Sequence, residues 1–172
     1  RYKGRIPVWD VVNEGIDDNA EIRDTPWRRL IGDDYIELAF QFAHEADPDA
    51  LLFYNDYNIE STNAKSNAVY AMAQDFVERG IPIHGIGIQC HFTVGGIQAT
   101  SIRNNMQRFG ELGLEVQFTE IDIRFDGEPT DSILERQAND YTTLLGICLE
   151  VEACTTFIVW GVTDRYTWLR SR

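Results

Sequence analysis

The chain has 172 residues, 44% of them hydrophobic, with 15 basic against 28 acidic side chains, a formal net charge of −13 and a pI near 4.5. That is enough apolar material for one domain with a sizeable core. An acidic chain repels phosphate backbones, so nucleic acid is not expected as a partner, and no apolar run is long enough to make a membrane-spanning helix.

The first residues, Arg1-Tyr2-Lys3-Gly4-Arg5, do not read as a signal peptide. There is no initial Met, and a buried-type strand begins almost at once, near residue 6, which reads as a piece of a longer protein. Three cysteines, Cys90, Cys148 and Cys154, form no C-x-x-C pair and have no nearby His cluster, so a zinc site is not expected. Cys148 and Cys154 are either a disulfide across a short connection or two small buried hydrophobes.

In chain order, residues 6–13 predict a strand, and residues 15–32 a long polar loop containing Trp27. Asp33 or Asp34 then caps a helix with Ile36, Ala39, Phe40 and Ala43 on one face. Asp47-Pro48-Asp49 is a turn before a strand over 51–54. A second helix covers 64–79, with Ala68, Val69, Met72, Phe76 and Val77 as its stripe and Gly80 and Pro82 as its stop. Residues 83–89 are a strand, Val94-Gly95-Gly96 a loop, and Ile102, Met106 and Phe109 one face of a third helix. A strand over 115–121 leads to a fourth helix over 133–150, with Leu134, Ala138, Tyr141, Leu145 and Cys148 inward, and a last strand over 156–160. Repeated βα units of this kind mean a parallel sheet covered by helices, either doubly wound or part of a (β/α)8 barrel. No dinucleotide or phosphate loop follows a strand, so no cofactor is expected.

The unusual side chains gather at the strand ends, where parallel βα sheets bind ligands. The first strand ends in Asn13-Glu14, the second in Asn55-Asp56-Tyr57-Asn58 and the third in Gln89-Cys90-His91. The fourth ends in Glu120-Ile121-Asp122, and the last in Trp160, with Trp168 beyond it. Alternation puts Gln89 and His91 on one side of their strand and Glu120 and Asp122 on one side of theirs. Singly, His91, Glu120 and Trp160 read as core or solvated residues and Asp56 as a turn former. Five consecutive strands with such groups at one end point to a cleft. A Cys90–His91 dyad is disfavoured because neighbours on a strand point apart. Two glutamates flanked by Trp, Tyr, Asn and Gln suit a sugar polymer: aromatic faces stack on rings, amides read hydroxyls, and paired carboxylates cleave glycosidic bonds.

These residues fall into motifs: Trp9-Asp10-Val11-Val12-Asn13-Glu14, Tyr54-Asn55-Asp56-Tyr57-Asn58, Gly85-Ile86-Gly87-Ile88-Gln89-Cys90-His91, Thr119-Glu120-Ile121-Asp122, and Trp160-Gly161-Val162-Thr163-Asp164 followed by Trp168-Leu169. In this order the chain resembles the catalytic domain of family 10 glycoside hydrolases, the endo-β-1,4-xylanases. The resemblance implies one α/β unit over 1–172, a (β/α)8 TIM barrel that is incomplete here and runs from about strand four to strand eight. It implies Glu14 as general acid/base and Glu120 as nucleophile, with Glu14 protonated and Glu120 held ionised by hydrogen bonds. Asn13 would bind the sugar's 2-hydroxyl, and Gln89 that sugar or the nucleophile. His91 would hydrogen-bond Glu120 and be held by Asp122. Trp160 and Trp168 would wall the non-reducing side, and Asn55 and Tyr57 would lie near the leaving group. A Cys148–Cys154 disulfide, an extracellular location, and a xylan or xylo-oligosaccharide substrate follow from the same resemblance. The barrel would need an N-terminal half for closure, without which the first and last strands expose apolar edges. Cys90 departs from the family, where a small Ser is common. The competing readings are a non-catalytic carbohydrate-binding barrel and a related barrel glycanase acting on cellulose.

Overall fold

The computed structural model describes residues 2–171. β1 (Val8–Asn13), β2 (Leu51–Asp56), β3 (Gly85–Ile88), β4 (His91–Thr93), β5 (Glu115–Arg124) and β6 (Cys154–Val159) form one all-parallel sheet. α1 (Pro26–Ile31) and α2 (Tyr35–Ala46) follow β1, α3 (Ala64–Arg79) follows β2, α4 (Ala99–Glu111) precedes β5, and α5 (Asp131–Glu150) joins β5 to β6. β3 and β4 are one path interrupted at Gln89-Cys90: β3 pairs the first half of β5 and β4 the second half. Cys90 makes the break, with a left-handed φ of 67°. The sheet is not closed. Among the described residues β1 pairs only with β2 and β6 only with β5, and Val159 and Trp160 are half-exposed at the latter edge.

The elements follow local chemistry. Asn63 accepts from Ser66 N and Ser66 Oγ accepts from Asn63 N, a capping box that starts α3, and Gly80 ends it at φ 72°. Phe40 of α2 packs edge-on against Phe76 of α3, and Ile102, Met106 and Phe109 of α4 are fully buried. At two positions of β3 only glycine fits: a Cβ at Gly85 would lie 2.1 Å from the Phe53 ring, and one at Gly87 2.3 Å from Asn55 Oδ1. Gly87 thus leaves room for a site residue on the neighbouring strand.

Four expectations need correction. Residues 15–32 are not all loop. Thr25 accepts from Arg28 N and Pro26 takes the first helical position, so α1 forms, though it is too short for an apolar period to mark it. Val77 in α3 is exposed, and Lys65 is buried instead. In α5 the inward residues are Leu144, Ile147 and Cys148, with Tyr141 half-buried, whereas Leu134, Ala138 and Leu145 face out. Leu144 and Leu145 both continue a three-to-four spacing from Tyr141, and packing on β6 selects the first. The strand over 115–121 also runs on to Arg124. Cys148 and Cys154 are bonded, with Cα atoms 5.2 Å apart.

Candidate active site

The C-terminal ends of β1 and β2 and the break between β3 and β4 meet around one amide oxygen. Asn13 Oδ1 accepts from Asn55 Nδ2 at 2.9 Å and from Gln89 Nε2 at 3.1 Å. The second hydrogen of each amide goes to a carboxylate: Asn55 Nδ2 donates to Glu120 Oε1 at 2.9 Å, and Gln89 Nε2 to Glu14 Oε1 at 3.2 Å. Both glutamates are therefore tied to Asn13 through one amide each. Thr119 Oγ1 donates to Asn55 Oδ1 at 2.8 Å, which fixes the orientation of that amide. Asn55 is buried and fully used in these bonds, so it supports the carboxylates from beneath instead of reaching the leaving-group side.

Gln89 turns its NH2 toward two acceptors, so its carbonyl oxygen faces His91 Nε2, 3.1 Å away. On the other ring nitrogen, Nδ1 lies 2.9 Å from Asp122 Oδ1. A carboxylate at one nitrogen and an amide oxygen at the other both favour the ring with hydrogen on each nitrogen. Burial would lower the pKa of His91, but the hydrogen bond and charge of Asp122, with Glu120 and Glu60, outweigh it and raise it. The expected His91–Glu120 hydrogen bond is not made: Nε2 bonds Gln89 and stands 3.6 Å from Glu120 Oε2, a charge contact. Asp122 Oδ2 accepts from Trp168 Nε1 at 2.7 Å, and Trp168 packs edge-on against His91. For Glu120 itself, burial raises the pKa above the ordinary carboxylate value, aided by Glu14 and Asp10 and opposed by the Asn55 hydrogen bond and the His91 charge. Hydrogen bonding alone does not hold it down, because burial is the larger effect.

A second network sets the backbone of Glu14, which has a left-handed φ of 58°. Its N–H donates to Asn55 O at 2.8 Å, and its carbonyl accepts from Arg23 Nε at 2.7 Å. Arg23 Nη2 also donates to the Tyr57 hydroxyl at 3.1 Å, and that hydroxyl donates to Asp18 Oδ2 at 3.2 Å. Lys65 Nζ lies 3.5 Å from the Tyr57 ring centroid and 2.9 Å from Asp56 Oδ1. Asp56 is fully buried and takes a further bond from the Tyr54 hydroxyl, so it is an internal ion-pair partner and not merely a turn former. Sequence reasoning gave Arg23, Asp18 and Lys65 no role. The one available signal was a lysine on the first turn of α3, a position that reads as solvated until its partners are known.

Glu14, Tyr57, Gln89, His91, Glu120, Trp160 and Trp168 line one open cleft. Such a cleft, with two amide-bridged carboxylates, flanking aromatics and donors at strand ends, belongs to a sugar-cleaving barrel. The family model for glycosyl hydrolase family 10 matches residues 1–172. The chain is a member of this family, and its sheet is part of the (β/α)8 barrel.

It is 47% identical over 169 residues to endo-1,4-beta-xylanase B of Thermotoga neapolitana, covering 98% of this chain and 49% of that protein. It is 42% identical over 181 residues to endo-1,4-beta-xylanase B of Paenibacillus barcinonensis, covering 98% of this chain and 54% of the relative. Among solved structures, xylanase 10B of Thermotoga petrophila RKU-1 in complex with xylobiose superposes with a TM-score of 0.95 at 43% identity, over 99% of this chain and 52% of that one. The chain thus spans about half the length of these relatives.

Proposed function

We propose that this chain carries the catalytic cleft of an endo-β-1,4-xylanase that cleaves internal xylosidic bonds with retention. The observation that carries the reading is the pair of carboxylates on separate strands, each bridged to Asn13 by one amide. Glu14 donates a proton to the glycosidic oxygen as the bond to the leaving sugar breaks. Glu120 attacks the anomeric carbon and forms a glycosyl ester. Glu14, left ionised once it has given up its proton, then takes a proton from the water that hydrolyses the ester and releases Glu120. The exposed Asn13 amide reads the 2-hydroxyl, Gln89 supports the same sugar, and Trp160 and Trp168 wall it. The flanking Asp122–His91 charge pair balances Glu120 as its charge changes.

Closure belongs to the same proposal: a complementary half-barrel pairs with β1 and β6 and completes the cleft. The disulfide favours an oxidising, extracellular setting. The test is reducing-sugar release from xylan by the intact protein that carries this chain and by its Glu120→Ala variant; equal rates would sink the nucleophile assignment. A cellulose-directed reading is kept because the chain is also 40% identical over 172 residues to exoglucanase XynX of Acetivibrio thermocellus. Faster release from soluble cellulose than from xylan would favour it.

A further inference from the structure

Arg23 lies in the loop from β1 to α1, half-buried and outside every strand-end motif. Consecutive carbonyls just past β1, those of Glu14, Gly15 and Ile16, all accept from it. Its Nε donates to Glu14 O at 2.7 Å, its backbone N–H to Gly15 O at 2.8 Å, and Nη2 to Ile16 O at 3.2 Å. Nη2 also donates to the Tyr57 hydroxyl at 3.1 Å, so one guanidinium joins the end of β1 to an aromatic wall of the cleft beyond β2. The remaining groups of this segment are fixed as well. Ile16 N–H donates to the Tyr54 hydroxyl at 2.8 Å, and a Cβ at Gly15 would lie 2.9 Å from Ile36 Cδ1.

Glu14 is a non-glycine residue at φ 58°, a conformation that persists only where its surroundings over-determine it. Its carboxylate is held more loosely than its backbone: Oε1 lies 3.2 Å from Gln89 Nε2 and 3.5 Å from Asn13 Nδ2. The aim of the carboxyl is therefore set mainly by the backbone that Arg23 grips. We propose that Arg23 is a positioning residue for the proton donor: its guanidinium holds the left-handed turn at Glu14 and, through the Tyr57 hydroxyl, fixes that carboxyl relative to the Tyr57 side of the cleft. A planar fork is needed, because Nε and Nη2 together serve Glu14 O, Ile16 O and the Tyr57 hydroxyl, which a single ammonium cannot match. The grip on the backbone does not depend on any substrate. Only its catalytic consequence rests on the xylanase reading.

The test compares xylan, whose leaving sugar must be protonated, with dinitrophenyl xylobioside, whose leaving group departs without a proton. It uses the intact protein that carries this chain and its Arg23→Ala, Arg23→Lys and Glu14→Ala variants. In Arg23→Ala, kcat/KM on xylan should fall about tenfold to a hundredfold, while on the dinitrophenyl substrate it should stay within about threefold. Arg23→Lys, which keeps the charge but not the fork, should lose nearly as much on xylan. Glu14→Ala should show the same selectivity with a larger loss. A general loosening of the fold would slow both substrates alike, so equal losses in Arg23→Ala, or no loss on either substrate, would overturn the proposal. Should the Arg23 variants fail to fold, the unsubstituted protein still decides by NMR. The Arg23 Nε proton must exchange slowly with solvent and couple across its hydrogen bond to the Glu14 carbonyl carbon; a fast-exchanging, uncoupled proton would overturn the proposal. Equal losses on both substrates in Glu14→Ala would instead count against the proton-donor assignment of the xylanase reading.

Discussion

Lys65→Met keeps most of the side chain's volume and removes its charge from a place where charge is expensive. Lys65 is 3% exposed and Asp56 0%, and their charged atoms are 2.9 Å apart. Removing one member of a buried pair leaves the other uncompensated, which costs about 3–5 kcal/mol. Asp56 keeps donors from the Tyr54 hydroxyl and the Tyr57 N–H, so the loss should fall at the lower end, about 3 kcal/mol. Against a typical stability of about 5–15 kcal/mol this is readily measured. Urea unfolding followed by tryptophan fluorescence, with the slope checked for constancy, gives the value. Asp56→Asn should also destabilise, and the double variant should lose at least about 1 kcal/mol less than the two single losses combined. Two single variants each within about 0.5 kcal/mol of the parent, with additive effects, would refute the claim that a buried ion pair organises the β2 end.

Disulfide removal by Cys148→Ser with Cys154→Ser should cost about 2 kcal/mol, because the closed loop is short; calorimetry checks this, and an unchanged unfolding temperature would contradict it. Stability should also depend on pH in a specific direction. Asp56, Glu60 and Glu120 have raised folded-state values, so the folded chain holds their protons more tightly and gains stability as pH falls through those values toward the ordinary carboxylate range. His91, also raised, contributes below its unfolded value of 6.5 and loses its contribution as pH rises through the folded value. His84, lowered by burial and by His44, acts oppositely and loses stability as pH falls below 6.5. Asp33, lowered by Arg28, sets a second loss below 3.8. The unfolding temperature should therefore peak in mild acid, at roughly pH 5–6.5. A steady rise from pH 5 to 9 would contradict the assignments. Asn55→Ala should cut kcat far more than KM, since Asn55 touches Glu120 and Asn13 from beneath; a pure KM effect on an aryl xylobioside would place it at the sugar instead.

Much of this was legible before any coordinates. Strand periodicity and βα spacing put the polar groups at one end of the sheet, and the structure brings Asn13, Glu14, Asn55, Gln89, His91, Glu120 and Asp122 into one bonded cluster. What stayed hidden was three-dimensional bookkeeping of hydrogen bonds. His91 and Gln89 share a side of their strand, but nothing in the spacing says that Gln89 takes the bond expected for Glu120. Asn55 reads as a cleft residue because its motif neighbours are, while Gly87 opposite it draws its side chain into the sheet. Lys65 and Glu60 look solvated because charge is normally exposed. Lys65 is held inside by Asp56, 2.9 Å away, and the Glu60 backbone by Asn105 of α4, partners that the spacing does not show. In α5, two adjacent leucines gave the periodicity two equal solutions, and only packing separates them.

The most direct test of the central claim is trapping. The intact protein that carries this chain is incubated with a slow 2-fluoro-xylobioside, digested and analysed by mass spectrometry. The account predicts one added fluoro-xylobiosyl group on the peptide containing Glu120, absent from Glu120→Gln. An adduct on Glu14 or on any other residue, or xylan hydrolysis that persists in Glu120→Gln, would contradict it.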